Sequence, residues 1–204
     1  MKLLRLLFIL TISSTLACFP YAWVTPPAKL EIAGGMTITE RGDLGSAFQG
    51  TAGVYPFQIF PDYFERTFDG GIGYSLLYVN VNEERVTGRY FHGPYFDFLY
   101  FIPVEASIPV RAYFSAKGKL LLNTPDIGFG GTGQAGIEIF DFADNNFESC
   151  AGNGCNYGKA YGESSFGFFI EGSQFFYGDS QLTFFGVGLS LRSPATSGIG
   201  WAYF

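Results

Sequence analysis

The chain has 204 residues, 48% of them hydrophobic, 19% aromatic and only 15% charged, with 28 glycines and a formal charge of −6. It is too hydrophobic for a disordered chain and too rich in glycine and aromatics for a helical bundle. The negative balance lacks the basic footprint that nucleic acid needs, so no nucleic-acid partner is expected.

Met1–Ala17 reads as a signal peptide. Lys2 and Arg5 form its basic start, Leu6–Ile12 its apolar stretch and Ser13–Ala17 its small-residue end. The apolar stretch is too short to span a bilayer, and no later apolar run is long enough for a membrane helix. Removing the leader takes the charge from −6 to −8, because Lys2 and Arg5 leave and no acid goes with them. The end Thr15-Leu16-Ala17-Cys18 resembles a bacterial lipobox, which implies lipidation of Cys18. Thr15 and Ala17 also satisfy the small-x-small rule of ordinary signal peptidase, and both readings cut at one bond. Residues 18–29 carry Pro20, Pro26 and Pro27 and are expected as an extended tether.

The remaining chain, 30–204, alternates. Leu30–Thr39 sets Leu30, Ile32, Met36 and Ile38 against Glu31, Ala33, Gly35, Thr37 and Thr39, a strand pattern. Arg41-Gly42-Asp43-Leu44-Gly45 is a turn by composition. Its Arg-Gly-Asp triplet matches the integrin-binding motif, but a polar hairpin turn accounts for it. Ser46–Phe57 is a second strand, rich in small residues, and Pro61–Asp69 a loop. Gly71–Val81 is a third strand, and Asn82–Gly88 a polar loop.

The longest alternating stretch runs from Phe96 to Leu122. Its even positions are uncharged throughout, whereas its odd positions include Asp97, Glu105, Arg111, Lys117 and Lys119. A period of two means one apolar face and one charge-bearing face. The stretch is too long for one strand and predicts two strands joined by a turn that keeps the phase. Pro103 and Pro109 cannot donate to a ladder and mark that turn, near Glu105–Pro109. Asn123–Gly133 is rich in Gly and Pro, and Gln134–Ala143 is a strand. Asp144–Ser164 reads as the longest polar loop. Ser165–Tyr177 is a strand, Gly178-Asp179-Ser180 a tight turn, Leu182–Arg192 a strand, Ser193–Thr196 a turn and Ser197–Phe204 a last short strand.

Candidate chemistry is sparse. Cys150 and Cys155 enclose Ala-Gly-Asn-Gly and can close a disulfide in an oxidising compartment. One histidine, His92, and scattered carboxylates do not make a zinc set, and the Asp144, Asn145, Asn146, Glu148 run reads as a solvated loop. No Gly-x-Gly-x-x-Gly opens a helix, so no cofactor is expected. Glu105, Arg111, Lys117, Lys119, Glu138 and Glu171, with Arg192, fall on the charged faces of strands. In a narrow barrel these become lumen charges that must pair.

Eight to ten short strands with no helical stripe point to an antiparallel sandwich or barrel. The pattern over Leu30–Phe204 resembles the small outer-membrane β-barrel family of Gram-negative bacteria. That resemblance implies a closed antiparallel up-and-down β-barrel of eight strands, with ten as the alternative, embedded in outer-membrane lipid. It also implies that Phe204 is the terminal aromatic read by the barrel-assembly machinery. With Phe204 at the periplasm, counting back puts Ser193–Thr196 outside, Gly178–Ser180 in the periplasm and the cysteine loop outside. The N-terminal count then leaves an odd strand. The expected role is structural, adhesive or a narrow pore for small solutes, without enzymatic activity. One alternative is a lipid-anchored soluble barrel, lipocalin-like, binding an apolar ligand. Another is a barrel enzyme acting on lipid A or phospholipid. The barrel enzymes of that membrane lean on a histidine, but Gly93, Pro94 and Tyr95 follow His92 where the deacylases have His-x-Ser-Asn.

Overall fold

The structure, a computed structural model, describes residues 18–56, 67–81, 89–103, 109–123, 126–151 and 154–203. The leader, Glu105 and Phe204 lie outside the described residues. Ten strands form one antiparallel sheet: β1 (Cys18–Thr25), β2 (Ala28–Thr39), β3 (Leu44–Val54), β4 (Phe68–Asn80), β5 (Arg89–Phe101), β6 (Val110–Asn123), β7 (Asp126–Ala151), β8 (Gly154–Tyr177), β9 (Ser180–Ser193) and β10 (Ala195–Tyr203). From β2 to β9 each strand pairs with the next, and β9 pairs back with β2. The result is a closed eight-stranded antiparallel up-and-down β-barrel.

The alternation in sequence is what closes it. Along β5 and β6 the even residues (Phe96, Phe98, Phe114, Ala116, Leu120) are exposed, and the odd residues (Asp97, Leu99, Arg111, Tyr113, Lys117) are buried. The phase survives the connection, and Pro103 and Pro109 lie in it, outside both strands. At the tight connections glycine takes a left-handed backbone: Gly42 has φ 86° and Gly178 φ 56°, values that side chains with a Cβ disfavour. The Arg41-Gly42-Asp43 triplet sits in the hairpin turn between β2 and β3.

Above one rim the wall continues on one side. The pairing of β7 with β8 holds one register from Gly128↔Tyr177 out to Ala151↔Gly154. The partner β6 stops earlier, at Val110↔Ile139. Beyond that level β8 pairs with β10, and β10 with β1. The four strands β7–β8–β10–β1 therefore stand as an extension on the barrel, tipped by the Cys150–Cys155 disulfide between directly opposed residues.

Several expectations change here. Residues 18–25, expected as a tether, are a paired strand, and β2 begins at Ala28, two residues earlier than expected. Most of Asp144–Ser164, expected as a loop, forms the paired arms of a long hairpin. Strand β7 already begins at Asp126, inside the Gly-rich stretch. Ser193–Thr196 is not a turn, because Pro194 only interrupts a strand that continues in the same direction. That removes the odd strand: β10 prolongs β9 as β1 precedes β2. It also revises the sidedness, since Tyr203 lies at the same end as the cysteine hairpin, opposite Gly178-Asp179.

Candidate functional site

The barrel interior is built in layers from inward-facing side chains. Next to the short turns lies an apolar layer that includes Leu77, Val79, Phe91, Leu121, Phe175 and Phe184, all buried. Glycines make room for its rings and for those above. A Cβ on Gly188 would clash with the Phe169 ring, and one on Gly71 would come within 2.6 Å of the Tyr55 ring.

The middle layer is polar and continuous. Lys117 forms an ion pair with Glu31 and a 3.0 Å hydrogen bond to Gln134 Oε1. Glu31 also pairs with Lys29 at 2.7 Å and accepts from the Thr51 hydroxyl at 2.8 Å. Gln134 and Gln49 donate to the two oxygens of Glu171 at 2.9 and 3.1 Å. Lys119 donates to Gln49 Oε1 at 2.8 Å. Asp97 accepts from the Tyr55 and Ser115 hydroxyls at 2.6 and 2.5 Å. Strands β2 and β6 are diametrically opposed in an eight-stranded ring, so the Glu31–Lys117 pair spans the lumen.

The layer under the extension holds two arginines. Arg111 is clasped by Glu138 (Nε–Oε1 2.8 Å) and by Glu163 (Nη1–Oε1 3.0 Å). Its guanidinium lies 3.7 Å from the Phe101 ring centroid and 4.5 Å from that of Phe140, a cation–π arrangement. Arg192 pairs with Asp69 at 3.0 Å. Among the described residues the interior thus buries five cations (Lys29, Arg111, Lys117, Lys119, Arg192) and six carboxylates (Glu31, Asp69, Asp97, Glu138, Glu163, Glu171). Near balance of opposite charges is what a desolvated lumen demands.

Arg111, Lys117, Lys119, Glu138 and Glu171 all point inward. Sequence reasoning missed Lys29, Asp69 and Glu163, having assigned them to a tether and two loops. The period of two, carried two residues back from Glu31 and from Gly71, reaches Lys29 and Asp69. Carried two residues back from Ser165 it reaches Glu163 as well, up to the break in phase at Gly162, whose φ is 97°.

The exterior is the inverse of the interior. Leu30, Ile32, Ile72, Phe96, Phe114, Ile137, Phe168, Ile170, Val187 and Leu189 are exposed around the whole circumference. Among the described residues no charged side chain is exposed on β2–β6, on β9, or on the barrel portions of β7 and β8 (127–140 and 163–177). The exposed charges sit beyond the band, at Glu40 and Arg41 in a turn, Asp179 in another, and Asp141, Glu148 and Lys159 in the extension. Rings mark the band's edges: Tyr78 packs on Tyr90 near the turns, and Phe68 lies against Phe98 and Tyr100 near the opposite rim.

His92 faces outward from β5. It stacks on Tyr74 and shares a 2.5 Å hydrogen bond with the Tyr74 hydroxyl. No serine or carboxylate bonds to it among the described residues. No group of three or more His, Cys, Asp or Glu side chains is placed to hold a metal among them either.

No protein-family model matches the chain, and no curated protein matches its sequence. Among solved structures it is similar to the crystal structure of Neisserial surface protein A, at 10% sequence identity and a TM-score of 0.42 over 84% of this chain and 98% of that one.

Proposed function

We propose that this chain is an integral β-barrel of a Gram-negative outer membrane, closed to solutes and without enzymatic activity, that carries the four-stranded extension as a structural or adhesive element. The carrying observation is the inversion of polarity, an uncharged apolar exterior wrapped around a charged, paired interior. In water such a barrel would expose a far larger apolar surface than soluble monomers tolerate. In a bilayer it matches the outward-apolar, inward-polar alternation of membrane barrels. The barrel strands β2–β6 have 11 to 14 residues, enough for the ~9–11 tilted residues that cross hydrocarbon.

The same inversion disfavours the lipocalin-like reading, since an interior crossed by Glu31–Lys117 offers no apolar cavity. The lipid-modifying enzyme reading needs a partner for His92, and that side chain points outward at Tyr74. Under the proposal Met1–Ala17 is removed on export, outer-membrane lipid surrounds the band, and Phe204 is read by the barrel-assembly machinery. Acylation of Cys18 is a separate proposal. Cys18 starts β1, roughly 30 Å along the chain from Ala28 at a rise of ~3.3 Å per residue. Metabolic labelling with a tagged fatty acid, lost in Cys18→Ser, tests it.

Carbonate extraction and sucrose-gradient fractionation test the main reading. The protein is expected to stay with outer membranes and to run at different positions on a gel before and after boiling. Recovery of the Cys18→Ser variant in the soluble fraction would sink it.

A further inference from the structure

Four strands cross from the barrel into the extension; at one level two of them are interrupted and a third, β8, carries a bulge. Pairing between β2 and β9 ends at Ala28↔Ser193, and that between β1 and β10 resumes at Thr25↔Thr196 with the register unchanged. Two rungs are missing there, and the residues in the gap include Pro26, Pro27 and Pro194, which have no N–H to donate. On the other side, β8 pairs with β9 up to Ser165↔Arg192 and with β10 from Tyr161↔Ala195. One residue more is used on β8 than on its partner, a bulge, and Gly162 takes φ 97° inside it. The slip turns the strand over: Phe169, Glu171 and Phe175 are buried below it, whereas Tyr157 and Lys159 are exposed above it. The barrel does not need the upper ladder, because β8–β9 and β9–β2 close it alone.

Glu163 is the residue next to the bulge glycine. It is 6% exposed and grips Arg111 through both carboxylate oxygens. Arg111 is the second residue of β6 and is fixed to the barrel wall by Glu138. We infer that the line through Pro27, Pro194 and Gly162 is a hinge on which the extension opens as a separate unit, with Glu163 on Arg111 fixing the barrel side of that line.

The chain provides its own probe. Its two tryptophans, Trp23 and Trp201, both lie in extension strands. Tryptophan fluorescence therefore follows the extension, while far-ultraviolet circular dichroism is dominated by the barrel. Purified protein in detergent or lipid is titrated with guanidinium and followed by both probes. The fluorescence transition is expected at lower denaturant than the dichroism transition. Coincident transitions in the unmodified protein overturn the hinge.

Discussion

Val187 stands at the middle of β9 and is 66% exposed. In water, a substitution at so open a site changes stability by less than about 0.5 kcal/mol. In hydrocarbon, an arginine near the midplane of a barrel wall costs ~2–4 kcal/mol. Val187→Arg is therefore expected to destabilise the protein by about that amount in liposomes, measured by denaturant unfolding. A change within about 0.5 kcal/mol would mean that the face does not meet lipid. Lys117, on the opposite side of the wall, is 3% exposed and touches Glu31, Gln134 and Asp97. Lys117→Ala leaves Glu31 and Asp97 short of a cation in a desolvated space. The expected loss is ~3–5 kcal/mol, the usual consequence of breaking a buried pair. A loss below about 1 kcal/mol in the same assay would mean that the interior is wet and the pair screened.

At the scale of elements, the strands were legible wherever polarity alternated without interruption. Within Phe96–Leu122 the two arms, 96–101 and 110–122, fold as their period dictates, with even residues outward and odd residues inward. Legibility failed where the alternation is broken or where prolines stand. Pro26-Pro27 and Pro194 signal breaks, but whether a break reverses the chain depends on partners far away in sequence, here β10 and β8. The same holds for Asp144–Ser164, whose Gly and Asn residues read as a loop, yet every position from Asp144 to Ala151 finds a partner on β8. The lumen charges follow this division. Arg111 and Lys117 sit in clean alternation, whereas Glu163 sits beside the bulge. The hairpin tip yields its own prediction. The Cys150–Cys155 bond closes a short loop, which in the chain-entropy account contributes ~2 kcal/mol to the unit that holds it. Reduction, or Cys150→Ser with Cys155→Ser, should lower the denaturant midpoint seen by tryptophan fluorescence. The midpoint seen by circular dichroism should hold. An unaffected fluorescence midpoint would count against any contribution of the bond to the extension.

At the scale of the molecule, the topology puts the extension, the start of β1 and the end of β10 on one side of the barrel, and Arg41 and Asp179 on the other. Epitopes inserted at Ser149 and at Asp179 should therefore never become accessible to antibody under the same condition in intact cells. Simultaneous labelling of both would contradict the membrane-spanning arrangement.

Whether such a barrel conducts follows from what fills it. An eight-stranded ring leaves an interior just wide enough for side chains. Among the described residues that space is crossed by Glu31 to Lys117 between opposed strands, by Gln49 to Glu171 and to Lys119, and by Asp69 to Arg192. Below these links the apolar layer of Leu77, Phe91, Leu121, Phe175 and Phe184 seals the end next to the short turns. An ion would have to break a buried pair, at ~3–5 kcal/mol, and then pass a dry layer that offers it no ligand. The purified protein is expected to give no steady conductance in planar bilayers at moderate voltage. Phe184→Ala alone should leave it closed, because the charged layer persists. Phe184→Ala combined with Lys117→Ala, if the barrel still folds, is the variant most able to leak. A stable open level in the unmodified protein would show that the links across the lumen break readily, and would return the narrow-pore role to first place.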